Sequence, residues 1–354
     1  MMTDKDVGVA IVGCGLIGQK RAKAIRPARL VACADTILDR AQKLAQSVPD
    51  AVATADWRTA ISRADVDIVI VATTNNALAE VTQAAIEVGK HVLVEKPAAR
   101  NTRELEAVID MARQAAVQVR VGFNHRYHPA LLRARELLKA GALGEMMFVR
   151  GRYGHGGRIG YDQEWRADPV LSGGGELIDQ GVHLIDLARW FLGDFTEIFG
   201  FAHTYFWQMP VDDNCFMLLK TPQRQAAFLH VSCTEWKNLF SLEVYGRDAK
   251  LHIEGLGGSY GVERLAYYKM LPQMGPPETT IWEYPGGDDS WHLEFTEFLE
   301  DIMLGRTPSA GLMDARAALN IVERIYAVSA YTDPGPILSP TIASAPRPGE
   351  GGRS

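Results

Sequence analysis

Through the first 122 residues the apolar positions fall in short unbroken runs: VGVAIVG from Val7, LVACAD from Leu30, VDIVIVAT from Val66, HVLVEKP from His91 and VQVRVGF from Val117. Such β-branched runs, apolar at successive positions, predict strands covered on both faces, with the mixed stretches between them as the covering helices. Gly13, Gly89 and Gly122 punctuate the boundaries. The expected fold of residues 1–125 is a doubly wound parallel sheet.

From His128 the texture changes. A helix, HPALLRARELLKAG, leads into MMFVRGRY, EIFGFAHTYFW, NCFMLLKT, AAFLHVSC and FSLEVYG, strands joined by short connections. That spacing predicts an α+β domain over 126–331 with a large, open, mainly antiparallel sheet. Two late helices show 3.6-residue spacing, with Phe295, Phe298, Leu299 and Ile302 on one face and Ala318, Val322, Ile325 and Ser329 on the other helix. They are expected to pack on one of the two domains. The tail 332–354 is rich in proline, glycine and serine and is expected to be disordered.

Composition narrows the function classes. With 354 residues, 47% hydrophobic and 23% charged, the chain has length for two cores. A net charge of −6 offers no basic stripe for phosphate backbones or anionic membranes. The N-terminus carries acids where a secretory signal needs bases, so a cytoplasmic location is expected. Cys14, Cys33, Cys215 and Cys233 lie far apart, form no metal-ligand cluster and are expected as buried free thiols.

The strongest local signal is VAIVGCGLIGQKRAKAI, where Gly13, Gly15 and Gly18 form GxGxxG between the first strand and the first helix. The first glycine permits the tight turn, the second lets backbone approach a pyrophosphate, and the third lets helix and strand pack closely. Leu16 and Ile17 open the helix whose N-terminus would meet the diphosphate. Asp35 ends the next strand 20 residues after Gly15, where a carboxylate accepts from the ribose 2′-hydroxyl and repels a 2′-phosphate. No arginine follows it directly, which favours NAD over NADP; the competing reading of Asp35 is a strand-end cap. Thr73, Asn75, Glu95 and Lys96 fall at later strand ends, on the same expected edge.

Oxidising an alcohol with NAD needs a group to take the hydroxyl proton and donors to position the oxygen. Lys96, between an apolar strand and Pro97, is one candidate. The other is SGGGELIDQGVHLIDLARWF, where Asp179 and His183 at i, i+4 would share one helix face. A carboxylate beside the imidazole, Asp179 or else Asp186, would orient it. The loop GRYGHGGRIGYDQEWRADP gathers Arg152, Tyr153, His155, Arg158, Tyr161, Trp165 and Arg166, side chains suited to sugar hydroxyls and C–H faces. Its arginines point toward an anionic sugar such as a uronate or a nucleotide-linked sugar, with a solvent- or subunit-facing polar loop as the alternative.

Taken in order, AIVGCGLIGQKRA, VLVEKP and GGGELIDQGVHLID resemble the Gfo/Idh/MocA family of oxidoreductases over nearly the whole chain to about residue 330. The resemblance implies an N-terminal Rossmann domain and a C-terminal domain whose open sheet often makes dimer or tetramer contacts. Carried over, the lysine of the EKP motif is Lys96 and the helix pair is Asp179 and His183. The segment GFNHRYHP resembles the family's strand-end stretch, which makes Asn124 and Arg126 candidates near the substrate, with ordinary ion pairing the alternative for Arg126. The histidine is then the candidate acid/base, and the lysine holds the substrate hydroxyl and the nicotinamide ribose. The chain departs from the common pattern in TTNNALAE, where Thr74 and Leu78 replace a proline and a histidine. The expected function is NAD-dependent oxidation of a hydroxyl on a sugar, sugar acid, nucleotide sugar or cyclitol, with His183 or Lys96 handling the proton. The alternatives are a hydrolase or epimerase that oxidises its substrate transiently and a non-catalytic NAD-sensing regulator.

Overall fold

The computed structural model describes residues 7–329 apart from 274, so the expectation for the tail lies outside the described residues. Six of the predicted and unpredicted short runs form one sheet: β1 (Gly8–Val12), β2 (Arg29–Ala34), β3 (Val52–Thr54), β4 (Ile68–Val71), β5 (His91–Glu95) and β6 (Val119–Gly122). The order is β3-β2-β1-β4-β5-β6 with every neighbour pair parallel. Side chains alternate across β1. Val9 and Ile11 enter one core with Ile70, Leu93 and Phe298, while Ala10 and Val12 enter the other with Val71 and Val94. Strand order reverses between β1 and β4, and that switch point puts the ends of both strands beside the glycine turn.

The second sheet has eight strands: β7 (Met146–Gly154), β8 (Glu197–His203), β9 (Asn214–Lys220), β10 (Ala226–Ser232), β11 (Leu239–Gly246), β12 (Ala249–Glu254), β13 (Glu263–Lys269) and β14 (Glu278–Tyr284). They run in the order β14-β13-β12-β11-β7-β10-β9-β8, antiparallel except for the β7–β10 pair. Helices Val182–Leu192 and Leu312–Val328 cover one face. On the other, Phe199, Leu218 and Phe228 are exposed and stand opposite one another across β8, β9 and β10.

The two late helices part company. Leu312–Val328 buries Ala318, Val322 and Ile325 in the core shared with the second sheet. Ser290–Leu304 returns to the first sheet, burying Phe295, Phe298 and Leu299 beside Ile11 and Leu93. Arg21, wholly buried, fixes it there by donating to Glu95 at 2.6 Å and to Glu294 at 2.5 Å. Gly122 makes room for this cluster, because a Cβ there would lie 2.6 Å from the Arg21 guanidinium. All four cysteines are buried and free. Among the described residues no helix is long and apolar enough to cross a membrane.

Candidate active site

At the carboxyl edge of β1 the three glycines differ in what they allow. A Cβ on Gly13, whose φ is +93°, would lie 2.3 Å from the Ala72 carbonyl oxygen, and one on Gly18 would lie 2.0 Å from the Gly13 carbonyl oxygen. One on Gly15 would meet nothing within 4 Å. Gly15 begins the helix Leu16–Ala24 with no side-chain cap, leaving its first amides open to an anion. Asp35 is aimed at this turn: one carboxylate oxygen accepts from the Cys14 amide at 2.8 Å and the other from the Ile37 amide at 2.9 Å. Each oxygen keeps a lone pair for a ribose hydroxyl. A gap over Gly15, an uncapped helix start and a carboxylate at the end of β2 fit a dinucleotide.

Beyond the turn lies a cavity of about 700 Å³ between the two sheets. Leu16, Ile17, Thr73, Asn75, Glu95 and Lys96 line it from the first sheet, and Tyr153, His155, Arg158, Trp165, Arg166, Asp179 and His183 from the second domain, with Asn124 at the junction. Gly13, Gly15, Gly18 and Asp35 do not line it. Asn75 donates to the Ser172 carbonyl at 2.8 Å and Asn124 to the Ser290 hydroxyl at 2.9 Å, so both amides are held by neighbouring elements.

Lys96 and Asp179 bring the halves together. The ammonium donates to the Asp179 carboxylate at 2.5 Å and to the Asp179 carbonyl oxygen at 2.6 Å. Arg166 donates to the second carboxylate oxygen at 3.0 Å. Residues Leu177–Gly181 are wound as a π turn running into the α-helix Val182–Leu192, a local geometry frequent at functional sites. Burial alone would raise the Asp179 carboxyl, but Lys96 and Arg166 outweigh it and hold it well below the usual carboxylate range.

His183 is buried and its Nδ1 has no hydrogen-bond partner among the described residues. Burial, reinforced by the positive charge of Lys96 and the neighbouring His128 and Arg21, pushes its imidazole well below the ordinary value. His125 stacks on it, with ring centroids 3.8 Å apart and planes at 26°. Burial also lowers His125 strongly, with His183, His128 and Lys96 contributing. Neither imidazole is a cation at neutral pH. Sequence reasoning did not single out His125 or His128; the signal available was the spacing of the two histidines in NHRYHP, on a 3₁₀ turn just past β6.

Aromatic rings make the opposite wall. Tyr153 and Tyr260 lie 5.5 Å apart, Tyr161 meets His155 edge-on at 5.4 Å, and Trp165 lies under the Arg166 guanidinium at 4.7 Å. The Tyr260 loop, Gly257 to Tyr260, contributes to the lining and carried no sequence signal of its own. Behind His155, with its Nε2 3.6 Å away, is the Glu176 carboxyl, fully buried and raised by that burial.

Several expectations are corrected. Arg126 does not line the cavity: its guanidinium forks onto Asp186, with Nε at 2.7 Å, and lies 3.2 Å from Asp314. Asp186 is thereby committed to Arg126 and does not orient His183. Asp179 does not orient it either, because its oxygens serve Lys96 and Arg166. Glu95 faces the cavity but is paired with buried Arg21. Leu78 is fully buried and packs in the core rather than the pocket.

Comparison with known proteins follows the same division. Residues 7–123 match the model described as oxidoreductase family, NAD-binding Rossmann fold, and residues 131–252 match the GFO/IDH/MocA C-terminal domain. The chain is 29% identical over 228 residues to levoglucosan dehydrogenase of Pseudarthrobacter phenanthrenivorans, covering 58% of this chain and 56% of that one, just over half its length. It is 24% identical over 349 residues to the NAD-dependent scyllo-inositol 2-dehydrogenase of Bacillus subtilis, covering 94% and 96%. A solved levoglucosan dehydrogenase in complex with NADH and levoglucosan shares the fold, with a TM-score of 0.82 at 22% identity over 92% of this chain and 98% of that one.

Proposed function

The chain belongs to the Gfo/Idh/MocA oxidoreductases, and from that premise we propose that it is an NAD-dependent dehydrogenase oxidising a hydroxyl of a sugar or cyclitol. The observation that carries the reading is the convergence of Lys96, from the nucleotide-binding sheet, with Asp179 and His183 on one cavity. A nicotinamide dinucleotide bound at the glycine turn would supply the hydride acceptor.

The chain's own residues divide the rest of the work. Lys96 spends two of its three N–H groups on Asp179, leaving one to donate to the substrate oxygen. An ammonium has no lone pair, so the hydroxyl proton goes to His183, a neutral imidazole on the cavity wall. Asp179, itself held by Arg166, keeps the ammonium in place, and the aromatic wall offers faces to the apolar side of a sugar ring. The relatives named above, dehydrogenases of levoglucosan and scyllo-inositol, support a polyhydroxylated ring as substrate.

The exposed row Phe199, Leu218 and Phe228 is where a second copy would pack, in keeping with the oligomer contacts that the family resemblance implies for this sheet. The reading is tested by mixing the chain with NAD and a panel of aldoses and cyclitols. Steady accumulation of NADH supports it. Substrate conversion without net NADH would point instead to a transient-oxidation cycle.

A further inference from the structure

The basic residues around the cavity are already answered by carboxylates. Lys96 and Arg166 share Asp179, at 2.5 Å and 3.0 Å. Arg158 meets Glu164 at 2.7 Å, and Arg166 approaches the same carboxylate at 3.7 Å. His155 faces Glu176 at 3.6 Å and Arg21 is held by Glu95 and Glu294. Lys20 is the lining cation for which no carboxylate partner is found among the described residues, and it lies 5.3 Å from the Trp291 ring, on the helix that starts at the glycine turn. At the aromatic end, then, a bound anion would meet arginines already engaged by Asp179 and Glu164 and no free guanidinium.

We infer that the cavity is built for an uncharged polyol and that Glu164 is a specificity-determining residue, the carboxylate that offsets Arg158 and, together with Asp179, Arg166, and so turns anionic sugars away. This deepens the dehydrogenase reading and rests on it. It also reverses the sequence expectation that the arginines of this loop favour a uronate or nucleotide-linked sugar. What counts is the net charge the pocket presents, and Glu164, three residues from Tyr161 and two from Arg166, was unremarkable in the sequence. Glu164 does not itself line the cavity, so its effect on a substrate passes through the two guanidinium groups. The Arg158 pair is the looser of the two, with the Arg158 side chain 66% exposed, while Arg166 is 29% exposed. Removing the carboxylate frees Arg158 outright and leaves Arg166 half-compensated by Asp179.

The test uses the full chain with NAD and matched neutral and anionic sugars, glucose with glucuronate and galactose with galacturonate, alongside myo-inositol. The wild-type chain should favour each neutral sugar over its uronate in kcat/KM by about a hundredfold, because the uronate carboxylate would be desolvated with no free cation at that end to pair it. Glu164→Gln should narrow that ratio by about tenfold or more, chiefly through the KM of the uronate, and Glu164→Asp should restore it. A uronate used as well as its neutral partner by the wild type, or a ratio unmoved by Glu164→Gln, overturns the inference while the dehydrogenase reading stands. NADH formation from none of these compounds would count against the dehydrogenase reading itself and would take the inference down with it.

Discussion

Lys96 and Asp179 are joined twice, the ammonium lying 2.5 Å from the carboxylate and 2.6 Å from the carbonyl oxygen of the same residue. One partner directly follows β5 of the nucleotide sheet and the other sits in the π turn before Val182–Leu192, so this contact sets the spacing between cofactor edge and substrate wall. Asp179→Asn keeps the shape and removes the charge, leaving Lys96 and Arg166 to repel each other. Turnover should fall about a hundredfold through misplacement of the ammonium, with NADH affinity nearly unchanged. Steady-state kinetics and a fluorescence titration of NADH check both halves of that expectation.

The buried imidazole of His183 sets a pH dependence. Burial, with Lys96, His128 and Arg21 around it, holds its pKa well below 6.5, so the neutral, proton-accepting form persists as the solution is acidified. The acid limb of kcat/KM should therefore lie below 6.5. A rate that halves at or above that pH, traced to His183 by its absence in a His183 variant, would contradict the assignment.

At the other end of the cavity edge, Asp35 receives two backbone amides and presents its remaining lone pairs beyond β2. Asp35→Ala should weaken NAD binding by about tenfold, the worth of one charge-assisted hydrogen bond, and relax discrimination against NADP. Calorimetric titration with both dinucleotides measures the two effects separately.

The Arg21 cluster is the stability counterpart. Glu294→Ala leaves a wholly buried guanidinium with Glu95 as its remaining carboxylate, and should cost about 3–5 kcal/mol, the usual penalty for breaking a buried pair. Urea unfolding should show a lower midpoint at an unchanged slope.

How much of this could be read from the residues alone depends on how far apart the partners lie in sequence. The parallel sheet announced itself because β1, β4 and β5 are continuous apolar runs, and the glycine spacing sits at the end of the first. β13, ERLAYYK, and β14, ETTIWEY, did not, since charged and half-exposed positions interrupt any clean alternation at the sheet's far edge. β3 is three residues long and gives no periodicity at all. Within the site, motif-borne residues were readable: Lys96, Asp179 and His183 each sit in a recognisable local pattern. Pairings were not. Nothing local to Arg126 says that Asp186 will take it, nor that His125 will lie flat on His183. Those facts arise only when the 3₁₀ turn Asn124–Tyr127, just past β6, is packed against the helix Val182–Leu192, and they decide which carboxylate is committed to which cation.

The central claim is that His183 takes the proton while the glycine turn independently holds the nucleotide. It is tested most directly by His183→Ala, measuring the rate of NADH appearance and the dissociation constant of NADH on the same preparation. The account predicts a turnover lower by about 10²–10⁴-fold with nucleotide affinity within a factor of about two. Wild-type turnover in the variant, or parallel loss of turnover and nucleotide binding, would contradict it.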